Sequence, residues 1–287
     1  MLKAYPVQGN FDSTRYLSKR LWATSADGTR IPISITLRAD HQHRGALRLV
    51  LSGYGAYGVT QEPEFSYSAL SLLDRGFALA TAHVRGGGML GQAWHAAGQG
   101  LNKQRSFDDF IACAEYLIEE GWTTAEALVI HGASAGGLLV GAVLDRRPEL
   151  FRAAIARQPF VDVLTAMSDP DLALTTQEYQ EWGDPRQAEQ NAEIRRWSPY
   201  ENVSNQAYPA LLVSAGLLDR QVPYWQPAKW VARLRERKVD DHLLLLMTDL
   251  QGVHGAPFAR NDRIRRDAVE YAFMFKALGL AEHAPGD

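Results

Sequence analysis

The segment Leu128–Leu139 constrains this chain more than any other. It reads as a short apolar run, Leu128-Val129-Ile130, then the pentapeptide Gly132-Ala133-Ser134-Ala135-Gly136, then an apolar stretch opening with Gly137-Leu138-Leu139. A strand, a sharp turn and a helix in that order present a serine hydroxyl on a tight bend, and the backbone has room there only where its neighbours lack a Cβ. Gly132 and Gly136 provide that room. Because the turn also opens a helix, the amide of Ala135 has no acceptor inside the helix and can point at negative charge developing beside Ser134. A glycine-rich chain also produces G-x-S-x-G in ordinary turns, so the flanking strand and helix are what favour a nucleophile.

Apolar runs at Ile31–Leu37, Leu47–Leu51, Phe77–Ala82, Ala127–Ile130, Ala153–Ala156, Ala210–Ser214 and Leu243–Met247 read as strands, mostly of the kind buried on both faces. Helical periodicity falls between most of them and is clearest at Phe107–Glu119, Gly136–Leu144, Tyr224–Arg237 and Asp262–Ala277. Ser106 is the expected N-cap of the first, with Asp108 and Asp109 in its opening turn. This alternation predicts an α/β-hydrolase fold, a mostly parallel central sheet flanked by helices, with the earliest strands antiparallel. The polar segment Ser168–Asn191 breaks the alternation and is expected to pass over the carboxyl edge of the sheet, where such sheets bind ligands. With 287 residues, 46% of them hydrophobic, the expectation is one domain over residues 1–287, with residues 1–30 an N-terminal extension packing on it.

A serine hydroxyl is a weak nucleophile near neutral pH and needs a base and an orienting acid. In this architecture they follow the serine in the order acid, histidine, each on a loop after a later strand. His242, His254 and His283 lie far enough along the chain. His242 opens a strand and His283 lies in the tail, whereas His254 sits in the glycine-flanked loop Leu250–Gly255 between the last strand and the last helix. Asp219 follows the strand Ala210–Ser214 by a short turn and is the expected acid; its rival Asp249 shares a loop with His254, which makes the reach awkward. His83, His95 and His131 read as structural groups, and His41 and His43 as part of a polar loop. No spacing resembles a zinc site, so neither metal nor cofactor is expected.

The formal net charge of −3, with both signs interspersed, argues against a nucleic-acid partner. Cys113, the one cysteine, lies in an apolar-periodic stretch and reads as core filling. No stretch is long and apolar enough to span a bilayer, and the first residues lack a signal-like apolar run, so a cytoplasmic location is expected.

Beyond these residues, a succession of motifs resembles the peptidase domain of the prolyl oligopeptidase family, in particular its oligopeptidase B branch. They are Gly53-Tyr54-Gly55-Ala56-Tyr57-Gly58, Val84-Arg85-Gly86-Gly87-Gly88 with Trp94-His95 and Leu101-Asn102-Lys103, the serine turn, Glu178–Asp184, and Tyr224–Trp230, in a match running from about Pro6 to about Gly279. The resemblance implies a serine peptidase acting on short peptides after Arg or Lys. It implies that Tyr54 joins Ala135 in an oxyanion hole, that Glu178 and Gln180 hold the first basic side chain, and that Glu62 and Glu64 serve the next subsite. Two departures stand out. Gln180 replaces a second glutamate and should hold a guanidinium less tightly. Gln221 stands where the family has an arginine, and the neighbouring Arg220 is expected to point elsewhere. The family's peptidase domain is joined to a β-propeller that restricts entry; this sequence contains none, so either the rest was trimmed, leaving a propeller to a missing segment or a second chain, or this is a stand-alone form. A carboxylesterase with the same triad and a catalytically silent truncated fragment are the alternative readings.

Overall fold

The computed structural model describes residues 7, 11–42, 45–62, 64–255 and 260–280; Pro6, His43 and His283 lie outside them. Eight strands form one sheet in the order β1-β2-β4-β3-β5-β6-β7-β8. They are β1 Tyr16–Thr24, β2 Arg30–Arg38, β3 Arg48–Ser52, β4 Phe77–Ala82, β5 Leu128–Ala133, β6 Ala153–Arg157, β7 Ala210–Gly216 and β8 Leu244–Asp249. The β1/β2 and β2/β4 pairs are antiparallel and the other five parallel, as the sequence led us to expect.

Successive side chains of the central strands enter two different cores. Leu128 and Ile130 of β5, with Leu211 and Val213 of β7, join a cluster containing Phe107, Phe110, Leu138 and Trp197. Val129 and Leu212 face the other way, against Phe273 and Met274. Both faces are thus covered by helices, which is why these strands read as unbroken apolar runs. The helix Ala135–Arg146 is buried on every side from Ala135 to Leu144, so the element carrying the serine turn is held within the core.

Three details differ from the sequence reading. Residues 16–24, expected within an extension packing on the domain, form β1, an edge strand of the sheet itself. Its sequence, YLSKRLWAT, mixes polar and long basic side chains, as suits an edge. Ser106 is not an N-cap: the helix begins at Gln104, and the buried Ser106 hydroxyl donates to the carbonyls of Arg85 (2.7 Å) and Gly98 (3.2 Å). Asp109 accordingly lies beyond the first turn, fully buried, and takes the Arg85 guanidinium through Nε at 2.9 Å and Nη2 at 2.6 Å. Finally, β8 is as apolar as a central strand yet lies at the edge, with Leu245 and Met247 exposed.

His83, buried at the end of β4, shares a hydrogen bond with Ser34 Oγ at 2.8 Å, and burial pulls its pKa down to about 4. The unfolded chain therefore binds a proton at this site that the folded chain refuses between about pH 6.5 and 4. The contribution is fully present above that window and is lost as pH falls through it, at about 1.4 kcal/mol per pH unit. Urea unfolding at pH 7 and pH 5 should show a loss of about 2 kcal/mol that a His83→Gln variant lacks; equal losses in both proteins would assign the acid sensitivity elsewhere.

Candidate active site

Ser134 joins β5 to the helix Ala135–Arg146 at φ 56°, ψ −118°, a backbone conformation that costs an L-residue energy and persists only where the surroundings enforce it. They do so from both sides. The Ser134 amide donates to the Arg157 carbonyl at 2.9 Å, and its own carbonyl accepts from Gly137, Leu138 and Phe160 at 2.9, 3.1 and 3.2 Å. A Cβ on Gly132 would stand 2.0 Å from the Gly136 carbonyl oxygen, and one on Gly136 would stand 2.6 Å from that of Gly53. The second glycine thus lets the turn approach the loop Gly53–Gly58 that follows β3. Since β3 and β5 are neighbours joined through β4, this is a point where the chain order in the sheet reverses and a crevice opens at the carboxyl ends of the strands.

Two later strands deliver the other groups to the same edge. Asp219, in the turn after β7, has a fully buried side chain. Its Oδ1 accepts the amides of Gln221 and Val222, each at 2.9 Å, and its Oδ2 lies 2.7 Å from His254 Nδ1. With a carboxylate on that side, Nδ1 carries the proton and Nε2 is left as an acceptor. Nε2 lies 3.0 Å from Ser134 Oγ. The structure therefore brings Ser134, Asp219 and His254 into one hydrogen-bonded line. Asp249 is spent on the loop instead, its Oδ1 accepting the Gln251 amide at 2.9 Å. His242 bonds the Tyr208 carbonyl through Nδ1 at 2.7 Å.

The Tyr54 phenol hydrogen-bonds to Ser134, and burial raises its pKa above the ordinary tyrosine value, so it stays protonated and able to donate near neutral pH. Ala135 is buried at the first position of its helix, beside the serine. Tyr54 and the Ala135 amide thus flank the Ser134 side chain.

Two further residues, whose roles the sequence did not disclose, hold the Tyr54 loop. Lys103 is 2% exposed, and its ammonium donates to the Gly55 carbonyl at 2.6 Å and the Gly98 carbonyl at 3.2 Å, 4.7 Å above the Trp182 ring. Burial pulls its pKa down to about 8, with Glu181 acting in the opposite direction. Glu181 accepts the Tyr57 amide at 3.0 Å and meets His95 Nε2 at 2.7 Å, with Lys103 3.6 Å away. In the sequence, Lys103 and Glu181 were each part of a motif, without a role of their own.

On the substrate side, Glu178 accepts Trp182 Nε1 at 2.9 Å and a bond from the Tyr57 phenol. Burial raises its pKa above the usual carboxylate value, while those hydrogen bonds and the nearby His254 act to lower it. It lines a cleft with Phe160, Leu172, Arg220, Gln221 and Pro223. Arg220, an exposed residue next to Asp219, also borders this cleft. Gln180 is exposed and does not line that cleft; its carbonyl accepts Gln99 Nε2 at 3.1 Å. Glu62 and Glu64 are exposed on the loop before the helix Tyr67–Leu73, and no hydrogen bond or ion pair among the described residues ties them to the Ser134 site.

Residues 63–281 match the prolyl oligopeptidase family. The chain is 42% identical over 281 residues to dipeptidyl aminopeptidase BI of Pseudoxanthomonas mexicana, covering 98% of this chain and 39% of that protein. It is 39% identical over 279 residues to protease 2 of Moraxella lacunata, covering 97% and 40%. Among solved structures it resembles oligopeptidase B from Leishmania major (TM-score 0.95, 43% identity, 97% of this chain and 39% of that one). It also resembles oligopeptidase B from Trypanosoma brucei with covalently bound antipain (TM-score 0.93, 46% identity, 96% and 39%). The chain spans about two fifths of the length of these relatives. The eight-stranded hydrolase sheet, the strained serine between β5 and its helix, and this similarity along almost the whole chain place the protein in the prolyl oligopeptidase family.

Proposed function

We propose that this chain cleaves short peptides after Arg or Lys through an acyl-enzyme on Ser134. The observation that carries the mechanism is the line Asp219–His254–Ser134, with hydrogen bonds of 2.7 and 3.0 Å. As Ser134 Oγ attacks the scissile carbonyl carbon, His254 Nε2 takes the hydroxyl proton and Asp219 stabilises the imidazolium that results. The carbonyl oxygen becomes an oxyanion that the Tyr54 phenol and the Ala135 amide stabilise. Collapse of the tetrahedral species breaks the C–N bond, and His254 returns the proton to the leaving amine. Water then repeats the sequence on the ester and frees Ser134. The covalently bound antipain of the Trypanosoma brucei relative supports a covalent route.

Preference for a basic side chain rests on Glu178, a carboxylate in a cleft where a cation without a partner would be costly. Gln180, exposed and outside that cleft, adds no second carboxylate to it, so the preference should be modest. A propeller on another segment or a second chain is part of this proposal, as the filter restricting entry to short peptides.

The test is a panel of amide substrates with Arg, Lys, Ala or Phe before the scissile bond, with free and blocked N-termini because one relative is named a dipeptidyl aminopeptidase. Arg and Lys amides should be turned over fastest. Glu178→Gln should raise KM for the Arg substrate ~10-fold to ~100-fold, the loss of one charge-assisted hydrogen bond, while leaving the Ala and Phe substrates within about 3-fold. Since the raised pKa of Glu178 means that its charge is lost as pH falls through that value, KM for Arg substrates should rise on acidification in the wild type only. Hydrolysis of short-chain esters with no amide turnover would replace this reading with a carboxylesterase.

A further inference from the structure

The loop carrying His254 leaves β8 at an exposed edge of the sheet, an unpromising place from which to hold an imidazole to within a few tenths of an ångström. Its first half is anchored locally. Gly252 donates to the Asp249 carbonyl at 3.1 Å, and the Gly252 carbonyl accepts from Leu218 at 2.9 Å. The two peptide groups on either side of His254 are anchored by a single distant side chain. The carboxamide of Gln158 donates through Nε2 to the Val253 carbonyl at 2.6 Å and accepts through Oε1 from the Gly255 amide at 2.7 Å.

Gln158 is itself held firmly. It follows β6 directly, at φ 42°, and its amide donates to the Ser214 carbonyl of β7 at 2.9 Å. The preceding residue, Arg157, supplies the carbonyl that accepts the Ser134 amide. A Cβ on Gly216, at the end of β7, would stand 2.6 Å from the Gly252 carbonyl oxygen and 3.0 Å from Gln158 Nε2, so a glycine there is what lets carboxamide and loop come together. Residues 157 and 158 therefore fix the nucleophile's backbone and the base's backbone from one strand end.

We propose that Gln158 is a positioning residue for His254, its carboxamide bracketing the histidine so that Nε2 stays within reach of Ser134 Oγ. This rests on the reading of His254 as the general base. A planar amide suits the task because one donor and one acceptor lie side by side, as in the peptide group of a neighbouring strand, and both backbone groups are satisfied at once. A misplacement of the base of about 1 Å costs on the order of 10²-fold in rate, whereas substrate binding does not depend on where the imidazole sits.

The test replaces Gln158 by methionine, which keeps the length and removes both hydrogen bonds, and by glutamate, which keeps only the acceptor. Gln158→Met is expected to lower kcat ~10-fold to ~100-fold with KM within about 3-fold, and Gln158→Glu to fall between it and the wild type. In the proton NMR spectrum the downfield signal of the His254 Nδ1 proton should broaden or vanish in the methionine variant while Tm moves by no more than a few degrees. A methionine variant with kcat within about 3-fold of wild type and an unchanged signal overturns the proposal, as does a loss confined to KM. Should that variant not fold, the glutamate variant is judged on the same kcat and signal. Failure of the base assignment is separately visible. A His254→Ala variant labelled by a fluorophosphonate as fast as the wild type would sink that assignment, while the Nδ1 signal of the wild type and the Gln158 variants would still report whether Gln158 holds the ring.

Discussion

Ser134→Ala is expected to lower kcat by ~10⁴-fold to ~10⁶-fold and to abolish fluorophosphonate labelling, with KM and Tm almost unchanged. The hydroxyl is the atom that forms the covalent bond. His254 Nε2, 3.0 Å away, can still polarise a water, so some turnover should persist through oxyanion stabilisation and substrate positioning. The same logic makes the losses non-additive. His254→Ala alone should cost nearly as much as Ser134→Ala, and the double variant little more than either, because the serine without its base is barely nucleophilic. Independent losses that multiply in the double variant would mean that the two side chains do not act as a unit, despite their hydrogen bond.

Tyr54→Phe is expected to lower kcat ~10²-fold to ~10³-fold with little change in KM. The substitution keeps the ring and its packing against Tyr57, whose centroid lies 6.3 Å away, and removes only the donor. A donor matters most when the carbonyl oxygen has become an anion, so the loss falls on the transition state rather than on binding. Because burial raises the phenol's pKa, the donor should not be lost by ionisation near neutral pH, and the wild-type to Tyr54→Phe ratio should stay flat from pH 7 to pH 9. The measurement is kcat and KM on an Arg amide across that range. A variant within about 3-fold of wild type would assign oxyanion stabilisation to the Ala135 amide and some other donor.

The buried cation beneath this loop explains how a glycine-rich segment can hold a phenol steadily. Gly55 and Gly58 take positive φ, so the loop has little stiffness of its own. Lys103 grips the Gly55 carbonyl from below, and Glu181 takes the Tyr57 amide from the side. Each buried charge is compensated by the other and by backbone groups, which is the condition under which such groups persist in a core.

Where chemistry depends on neighbours in the chain, residue order sufficed. The serine turn needs a strand before it, a helix after it and glycines at fixed positions, and all of these are adjacent in sequence, so Ser134 and the mostly parallel hydrolase sheet were legible from it. The order of acid and histidine along the chain narrowed the remaining choice to a few residues, and the structure then joined Asp219 and His254 to Ser134 by hydrogen bonds. What sequence could not reveal depends on groups far apart in the chain meeting in space. Strand β1 escaped notice because an edge strand with one neighbour needs no apolar run, and β8 looked central because apolar content does not report exposure. Ser106 looked like a cap, but its hydroxyl serves carbonyls brought to it by another loop. Glu181, Lys103 and Gln158 are ordinary surface residues by type. Their roles follow from which backbone groups the folded sheet edge leaves within about 3 Å of them, and hydrogen bonding is too short-ranged and directional for residue order to foretell that.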